Sequence, residues 1–493
     1  MKPAAKWTLA LATGLLLVLI QPAPALRIFA PFALAPILIA VAGEYSARQR
    51  FLLGWVAGMV QWGGTCYWIE GTLARHGGVP EWVALLLFAG FALLKGLHLG
   101  LYGLAAGNLL GARWAPPALA LLWVGLERTH AELGFTWLLL GNAGIDMGIP
   151  MRLAPLFGVY GLSFVFALLS SSVACWYLRW DRLQLAWCAP LLALYLLPAL
   201  PDVKAGDMNA LAVQPNLPED ERLTNEQVKR IYDRLARITL AGGLDAKRRK
   251  PSLLLWPEVP ASLYYEIDSE FREQVGSVAR LVEAPFLLGT VRFDSEGNPF
   301  NTAHLLTATG DPAGVYDKMN LVPFGEFVPP VFSAVVGKVS HEAGTFQRGT
   351  DLKVFGTPAG KLGVFICYES AFPHHVRAFV DKGAEVLINL SNDGYFGQSA
   401  ARDQHLLLAR MRAAENERWL LRPTNDGYTV SIDPAGRVID ELTPNRLIEG
   451  RLQYATAFRK TLYSRLGDVF AWNALALGLL SLLVAHWMDG RFS

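Results

Sequence analysis

Charged side chains are scarce in the first part of the chain. Residues 1–203 carry 12 Lys or Arg and 8 Asp or Glu, whereas the 493 residues together carry 44 and 42. The whole chain is 53% hydrophobic and 17% charged, against roughly 25% charged residues in an average soluble domain. This uneven distribution excludes a single uniform soluble domain, and the high hydrophobicity excludes a disordered chain. We therefore expect a membrane domain joined to a water-soluble domain.

Cysteine is also sparse, and the sequence has no block of basic residues. Three of the four cysteines, Cys66, Cys175 and Cys188, lie in apolar runs, and Cys367 alone lies in the polar part. Their spacing matches neither CxxC nor a Cys/His zinc motif, so we expect no metal site. The net charge of +2 and the lack of a basic run give no reason to expect a nucleic-acid partner.

Long apolar runs fill the charge-poor part of the sequence, and a membrane-spanning helix needs about 20 such residues. Eight spans are predicted, near residues 7–25, 28–43, 51–70, 82–112, 115–140, 154–178, 183–201 and 468–488. The bias of Lys and Arg between loops places the N-terminus in the cytoplasm and the large polar region on the outer side. The first run also fits a secretory signal with Ala23-Pro24-Ala25 as its cleavage site. A retained helix is favoured, because a second apolar run follows at once.

These runs predict three parts: a membrane domain of seven spans (1–203), a soluble domain (204–460), and a final span with a short tail (461–493). Within the soluble part, short apolar segments alternate with amphipathic ones. Strands are predicted at 209–214, 252–256, 285–290, 361–366, 385–390 and from 419, and helices at 225–240, 267–281, 373–382 and 403–418. Continuous apolar strands alternating with helices are typical of an α/β domain whose sheet is covered on its faces.

Three chemically active residues follow predicted strands or lie in the loops between them. Glu258 follows SLLLWP, Lys318 lies in YDKMNLVPFGEFVP, and Cys367 follows KLGVFI. Each alone is usually a core or surface residue, but function in α/β sheets sits beyond the carboxyl ends of strands. A carboxylate can take the thiol proton, and a lysine can stabilise an oxyanion. The lysine should also lower the pKa of the thiol, and the abrupt end of the strand at Cys367 predicts a nucleophile elbow.

These motifs resemble the Glu-Lys-Cys triad of the nitrilase, or carbon–nitrogen hydrolase, superfamily. With seven spans before this domain and one after it, the whole chain resembles the apolipoprotein N-acyltransferase family. Further matching stretches are VQPNLP (213–218), SNDGYFG (391–397) and TLYSRLGD (461–468). The chain departs from the family in having EDERL (219–223) where a Trp is frequent, and Thr136 where a Pro is common. The first departure puts a substrate contact in doubt and the second a helix break, but neither affects the triad.

The resemblance implies an αββα sandwich and a two-step reaction without metal or cofactor. Cys367 would attack the sn-1 ester of a phospholipid, typically phosphatidylethanolamine, and form a thioester. The α-amine of the N-terminal diacylglyceryl-cysteine of an apolipoprotein would then take the acyl group. Glu258 would act as general base, Lys318 would stabilise the oxyanion, and Glu326 would position Lys318 or the substrate. The family also implies a bacterial inner membrane, with the catalytic domain facing the periplasm.

Further residues are candidates for supporting roles. Tyr368 and Glu369 flank the nucleophile, and the backbone N–H of Tyr368 is a candidate oxyanion donor. Asn392 lies in the SNDGYFG stretch, and Tyr395 and Phe396 are candidates for the acyl pocket. The apolar stretch Leu321–Gly337 predicts either a lid that dips into lipid or a packed loop that covers the sheet edge. The lid candidates within it are Phe324, Phe327 and Phe332.

Two other functions are compatible with parts of this pattern. A membrane-tethered amidase or nitrilase-type hydrolase would transfer its acyl group to water, and the triad does not exclude it. The eight predicted spans speak against it, because a soluble substrate needs no such platform. A transporter or scaffold without chemistry is disfavoured, because all three triad residue types are present.

Overall fold

The structure, a computed structural model, describes residues 1–22, 24–179, 181–202, 205–218, 223–259, 264–328 and 346–489. Backbone contacts divide the chain into two compact units. The helical unit comprises Met1–Glu70, Trp82–Leu200 and Arg465–Ser493, and the sandwich unit comprises Gly71–Glu81 and Pro201–Ser464.

The helical unit is built from α-helices and short 3-10 helices. Its α-helices are Pro3–Leu19, Ala35–Val41, Ala47–Thr65, Glu81–Leu109, Ala115–Arg128, Ala154–Phe157, Val159–Arg179 and Val469–Asp489. Its 3-10 helices are Arg27–Phe32, Leu140–Gly144, Pro150–Leu153 and Arg182–Leu196. The chain passes between the two units after Glu70, Glu81, Leu200 and Ser464, and the first and last of these boundaries fall within the short helices Trp68–His76 and Leu462–Leu466.

Among the described residues, three helices are long and apolar enough to cross a membrane by length and composition: Glu81–Leu109, Val159–Arg179 and Val469–Met488. Three further apolar helices are shorter: Pro3–Leu19, Arg27–Val41 and Arg182–Leu196. The last of these contains Pro190, and proline removes a backbone donor from a helix interior. The prediction of eight spans therefore stays a prediction.

Two helices of this unit approach each other closely at glycine. A Cβ at Gly125 would lie 2.4 Å from Cα of Leu475, and a Cβ at Gly478 would lie 2.9 Å from Cα of Leu122. Small residues at helix contacts let backbones come together and are common in membrane bundles. Beside this contact, Nε of Arg128 lies 2.5 Å from Oδ2 of Asp468. The helices Ala115–Arg128 and Val469–Asp489 are thus joined by packing and by a buried ion pair.

Lys95 is buried in the interior of the helical unit. Only 1% of the residue is exposed, its Nζ donates to the carbonyl oxygen of Phe135 at 2.7 Å, and it lies 4.7 Å from the ring centroid of Trp62. A buried ammonium needs such partners, because burial without them is costly. Lys95 therefore has a hydrogen-bond partner and an aromatic contact inside the helical unit.

The sandwich unit contains two six-stranded sheets, with the order β12-β1-β2-β3-β4-β5 in the first and β11-β10-β9-β8-β7-β6 in the second. The described strands are β1 (Met208–Gln214), β2 (Leu253–Leu255), β3 (Phe286–Phe293), β4 (Pro299–Leu306), β5 (Pro312–Asp317), β6 (Val354–Thr357), β7 (Gly360–Ile366), β8 (Val386–Leu390), β9 (Leu420–Arg422), β10 (Val430–Ile432), β11 (Val438–Glu441) and β12 (Ile448–Tyr454). Its longer helices are Asn225–Gly243, Ser269–Val282, Pro373–Asp381 and Ala401–Asn416. The strands and helices predicted for this region are confirmed, with shifts of at most three residues at their ends.

Side-chain alternation along the strands builds a layered core. Ala212 and Leu255 of the first sheet belong to one buried cluster with Val364 and Ile388 of the second sheet. Their strand neighbours point the other way: Leu211, Val213 and Leu254 share a second cluster with side chains of the helices Asn225–Gly243 and Ser269–Val282. Because both faces of the first sheet are covered at β1 and β2, the buried parts of these two strands are nearly continuous apolar runs.

Candidate active site

Strand directions bring Glu258 and Lys318 to one edge of the first sheet. Strand β2 runs parallel to β3, β3 runs antiparallel to β4, and β4 runs antiparallel to β5. Strands β2 and β5 therefore point the same way. Glu258 lies three residues beyond the end of β2, and Lys318 directly follows β5. Two residues 60 positions apart in the sequence thus meet at the same edge.

Lys318 is bonded to two carboxylates. Its Nζ lies 3.0 Å from Oε1 of Glu258 and 2.9 Å from Oε1 of Glu326, and only 1% of the residue is exposed. Burial acts to lower the pKa of Lys318, but the two negative charges outweigh it and raise this pKa well above its usual value. Lys318 is therefore an ammonium at neutral pH, held where it can meet a developing negative charge.

Cys367 follows β7 without an intervening residue, and its backbone is in the left-handed region with φ +51°. A non-glycine residue at positive φ is uncommon, and such conformations concentrate at functional sites. A short 3-10 turn, Cys367–Ala371, follows before the helix that begins at Pro373. This is the sharp strand-to-helix turn predicted from the sequence.

Opposing effects of burial and neighbouring charges act on the pKa of the Cys367 thiol. Burial raises this pKa, the negative charge of Glu258 raises it further, and Lys318 lowers it. The predicted lowering by Lys318 is therefore present, but burial and Glu258 outweigh it. The net result is a thiol pKa above the usual value. The resting site thus holds a neutral thiol beside the carboxylate of Glu258.

Asn301 joins the two carboxylates and was not singled out from the sequence. It lies near the start of β4, and its Nδ2 donates to Oε1 of Glu258 at 2.8 Å and to Oε1 of Glu326 at 2.7 Å. Glu326 also accepts from the backbone N–H of Val322 at 2.8 Å through Oε2. Both acids are therefore fixed by neutral donors as well as by Lys318. Nothing local marks Asn301, because its partners are 25 and 43 residues away.

Glu369 connects the loop after β5, which contains Lys318, to the turn after β7, which contains Cys367. It is completely buried, and it accepts from the backbone N–H groups of Met319, Asn320 and Ile366 at 2.8–3.0 Å. The hydroxyl of Tyr316 donates to it at 2.9 Å. Burial acts to raise the pKa of Glu369, but a neighbouring histidine, His375, and these hydrogen bonds bring it below its usual value. Glu369 thus ties together the segments on either side of the site rather than facing a substrate.

The remaining supporting candidates occupy different surroundings. The side chain of Tyr368 is buried and packs edge-on against Phe372, with ring centroids 5.1 Å apart. Oδ1 of Asn392 accepts from the backbone N–H of Gly394 at 3.1 Å and shapes that turn. Phe396 packs edge-on against His405 at 5.6 Å, whereas Tyr395 is exposed and packs against His76 at 5.0 Å.

Two of the lid candidates, Phe324 and Phe327, lie near the end of the described loop that follows Lys318. The backbone N–H of Phe324 donates to the carbonyl oxygen of Phe327 at 2.7 Å, which closes a tight turn with φ +65° at Phe324. The Arg348 guanidinium lies 4.9 Å from the ring centroid of Phe327. Phe332 lies outside the described residues, so the lid stays a prediction.

Comparison of the sequence with known proteins assigns the chain to a family. Residues 206–459 match the carbon-nitrogen hydrolase family, and residues 13–172 match the apolipoprotein N-acyltransferase N-terminal domain. An apolipoprotein N-acyltransferase of Geobacter metallireducens is 32% identical over 505 aligned residues, which cover 96% of this chain and 94% of the relative. The chain belongs to the apolipoprotein N-acyltransferase family. A second apolipoprotein N-acyltransferase, from Pseudomonas putida, is 29% identical and covers 97% of both chains.

Solved structures match about half of the chain at low identity. Nit3 of Saccharomyces cerevisiae, a member of the nitrilase superfamily, is 18% identical with a TM-score of 0.40, and covers 52% of this chain and 93% of its own. An amidase from Nesterenkonia sp. is 19% identical with a TM-score of 0.39, and covers 54% and 96%. Membership of the apolipoprotein N-acyltransferase family rests on the domain and sequence matches, and it confirms the resemblance found in the motifs.

Proposed function

We propose that this enzyme transfers an acyl chain from the sn-1 position of a phospholipid, typically phosphatidylethanolamine, to the N-terminal diacylglyceryl-cysteine of apolipoproteins. Family membership supports N-acylation of apolipoproteins as the activity. The single observation that supports the mechanism is the meeting of Cys367, Glu258 and Lys318 in one buried site. The hydrolase alternative shares the triad, but the full-length relatives carry the acyltransferase name and not a hydrolase name.

The first step forms a thioester on Cys367. Because the pKa of the thiol is raised, the thiolate is not stored in the resting enzyme. Glu258 takes the proton as sulfur attacks the ester carbonyl, and the new oxyanion forms near the ammonium of Lys318. When the C–O bond breaks, Glu258 returns the proton to the leaving oxygen. The products are a lysophospholipid and the acyl-enzyme.

The second step passes the acyl group to an amine. The α-amine of the lipid-modified cysteine attacks the thioester carbonyl, and Glu258 accepts a proton from the nitrogen. Lys318 again faces the oxyanion. The C–S bond breaks, the thiol regains its proton, and an amide is formed. Since no electron transfer occurs, the described side chains suffice for the proton balance of both steps.

Both substrates are anchored in a bilayer, which fits the apolar helices of the chain. We infer that the eight predicted apolar segments span the inner membrane and that the sandwich unit faces the periplasm. The excess of Lys and Arg in alternate loops supports this orientation. Cysteine-accessibility labelling from either side of the membrane, at single cysteines placed in the predicted loops, would test it.

A transfer assay separates this function from hydrolysis. Purified enzyme is incubated with phospholipid labelled in the sn-1 chain, with and without a diacylated lipopeptide that has a free α-amine. We expect label in the lipopeptide and a matching release of lysophospholipid. Release of free fatty acid at the same rate in both samples, with no lipopeptide label, would support the hydrolase instead.

A further inference from the structure

A buried charged network lies directly behind the nucleophile, and the two-step mechanism above makes no use of it. The carbonyl oxygen of Cys367 accepts from Nε2 of His405 at 3.0 Å and from Nδ2 of Asn389 at 3.3 Å. Both side chains are completely buried. A carbonyl oxygen only accepts hydrogen bonds, so Nε2 of His405 must carry a proton. The carbonyl oxygen of Cys367 is thus bound by two donors, one on β8 and one on the helix Ala401–Asn416.

The other ring nitrogen of His405 is fixed by a buried ion pair. Nδ1 lies 3.0 Å from Oδ1 of Asp393 and 3.0 Å from a guanidinium nitrogen of Arg422. Arg422 reaches both carboxylate oxygens of Asp393, at 2.7 and 3.0 Å. Burial acts to raise the pKa of Asp393, but Arg422 and His405 bring it far below its usual value. Asp393 is therefore an anion that sets the orientation of the His405 ring.

This network contacts the backbone of Cys367, the residue with the uncommon backbone conformation. A cysteine with φ +51° keeps that conformation only where its surroundings enforce it. The peptide group between Cys367 and Tyr368 is planar and trans, so fixing its carbonyl oxygen also fixes the direction of the Tyr368 N–H. Hydrogen bonds accepted by a carbonyl oxygen polarise the peptide and strengthen the N–H of the same group as a donor. This N–H is the candidate oxyanion donor predicted from the sequence, in addition to the Lys318 ammonium.

We propose that His405, oriented by Asp393 and Arg422, is a positioning residue for acyl transfer. Its Nε2–H holds the Cys367 carbonyl, and thereby sets the direction of the sulfur and of the Tyr368 N–H when the tetrahedral intermediate forms. No proton leaves His405 during the reaction. This inference rests on the proposed function, because it assigns a role within that reaction.

Two amide replacements separate positioning from bulk. In His405→Gln the side-chain amide reaches the place of Nε2 and can still donate to the Cys367 carbonyl. In His405→Asn the shorter amide reaches only the place of Nδ1, beside Asp393. We expect His405→Gln to keep kcat for lipopeptide acylation within about threefold of the parent, and His405→Asn to lose about 30-fold to 100-fold, less than or near the loss of a direct oxyanion donor. KM for the phospholipid should not change in either.

A pH profile and a control histidine complete the test. Since His405 transfers no proton, His405→Gln should keep the pH dependence of kcat of the parent enzyme. His304 is another buried histidine, on β4, packed on Tyr265 with ring centroids 4.0 Å apart. His304→Asn should lower the melting temperature without the loss of kcat seen in His405→Asn. Melting temperatures of all variants show whether each one folds.

Equal kcat in folded His405→Gln and His405→Asn would overturn the positioning role. The loss of the acidic or alkaline limb of the pH profile of kcat in His405→Gln would overturn it as well. If both variants fail to fold, Asn389→Leu removes the second donor to the same carbonyl, and an unchanged kcat in that folded variant also overturns the proposal. Failure of the proposed function looks different, because the parent enzyme itself would then form no acyl adduct on Cys367.

Discussion

Cys66 and Cys367 are both buried beside a lysine, but their surroundings differ in one essential way. In the helical unit, Cys66 lies near Lys95, whose Nζ donates to the carbonyl oxygen of Phe135. In the sandwich unit, Cys367 lies near Lys318, whose Nζ bonds the carboxylates of Glu258 and Glu326. A carbonyl oxygen cannot take a proton from a thiol at neutral pH, whereas a carboxylate can.

The backbone differs as well. Cys367 has φ +51°, whereas Cys66 follows the helix Ala47–Thr65 with φ −110°. The comparison teaches that a buried cysteine beside a lysine does not identify a reactive thiol. A base in reach and an enforced, uncommon backbone conformation distinguish the candidate active site from ordinary packing.

The largest expected difference concerns the two cysteines themselves. Cys367→Ala should form no acyl-enzyme and should lose about 10³-fold or more of the acylation rate, because the covalent route is removed. Cys66→Ala, the matched control, should keep the rate within about twofold, since a small buried side chain is replaced by a smaller one. Single-turnover acylation with labelled phospholipid measures both. A Cys66→Ala variant that folds but forms no acyl-enzyme would contradict the distinction between a reactive Cys367 and an inert Cys66.

Glu258→Gln should separate thiol ionisation from catalysis. We expect a loss of about 10²-fold to 10⁴-fold in acyl transfer, because the general base is gone. Alkylation of Cys367 by iodoacetamide should move the opposite way. In the parent enzyme the raised thiol pKa keeps alkylation slow at neutral pH, and the rate rises as pH approaches that pKa.

Removing the charge of Glu258 removes one cause of the raised pKa of Cys367. Glu258→Gln should therefore shift the alkylation profile to lower pH. The measurement is the rate of iodoacetamide labelling of Cys367 from pH 6 to pH 10 or so, in a Cys66→Ala background. A shift to higher pH would contradict the electrostatic account of the site.

Replacing the two lysines, Lys318 and Lys95, should also have different effects on the rate of acyl-enzyme formation. Lys318→Met should cost about 10²-fold to 10³-fold in the rate of acyl-enzyme formation, because the oxyanion loses its cation. Lys95→Met leaves the Phe135 carbonyl without its donor, so it should destabilise the folded protein by about 1–3 kcal/mol and leave the rate per folded enzyme unchanged. Melting temperature and single-turnover rate together measure this. Equal rate losses in both variants would remove the distinction between the two sites.

The smallest effect on chemistry is expected from a change in the helix contact. Gly125→Leu would clash with Leu475, since even a Cβ would lie 2.4 Å from its Cα. Overpacking of this kind costs about 1–3 kcal/mol, so we expect a lower melting temperature in detergent and an unchanged rate per folded enzyme. Ala120→Leu, at another buried position of the same helix, is the control for bulk alone. A rate loss without a change in melting temperature would show that this helix contact affects catalysis.

The sequence predicted six of the twelve described strands and the four longer helices of the sandwich unit. Apolar strand patterns located β1, β7 and β8 to within one residue, and the candidate residues Glu258, Lys318 and Cys367 lie beyond the ends of β2, β5 and β7. These features are local, or follow from the rule that parallel strands end at one edge.

Long-range features could not be found in the same way. Asn301 meets Glu258 and Glu326 through pairing of β4 with its neighbours, and no local pattern marks it. His405 and Asp393 reach the carbonyl of Cys367 from another helix and loop. The lowering of the thiol pKa by Lys318 was predicted, but the larger opposing effects of burial and of Glu258 were not, because they are properties of the folded site.

Mass spectrometry of the acylated enzyme would show directly whether Cys367 carries the acyl group during transfer. The purified protein is incubated with phosphatidylethanolamine of known sn-1 chain, without acceptor, and its peptides are then analysed. The account predicts one added acyl group on the peptide containing Cys367, and its loss when a diacylated lipopeptide is supplied. An adduct on Cys66 instead, or lipopeptide acylation without any adduct on Cys367, would contradict it.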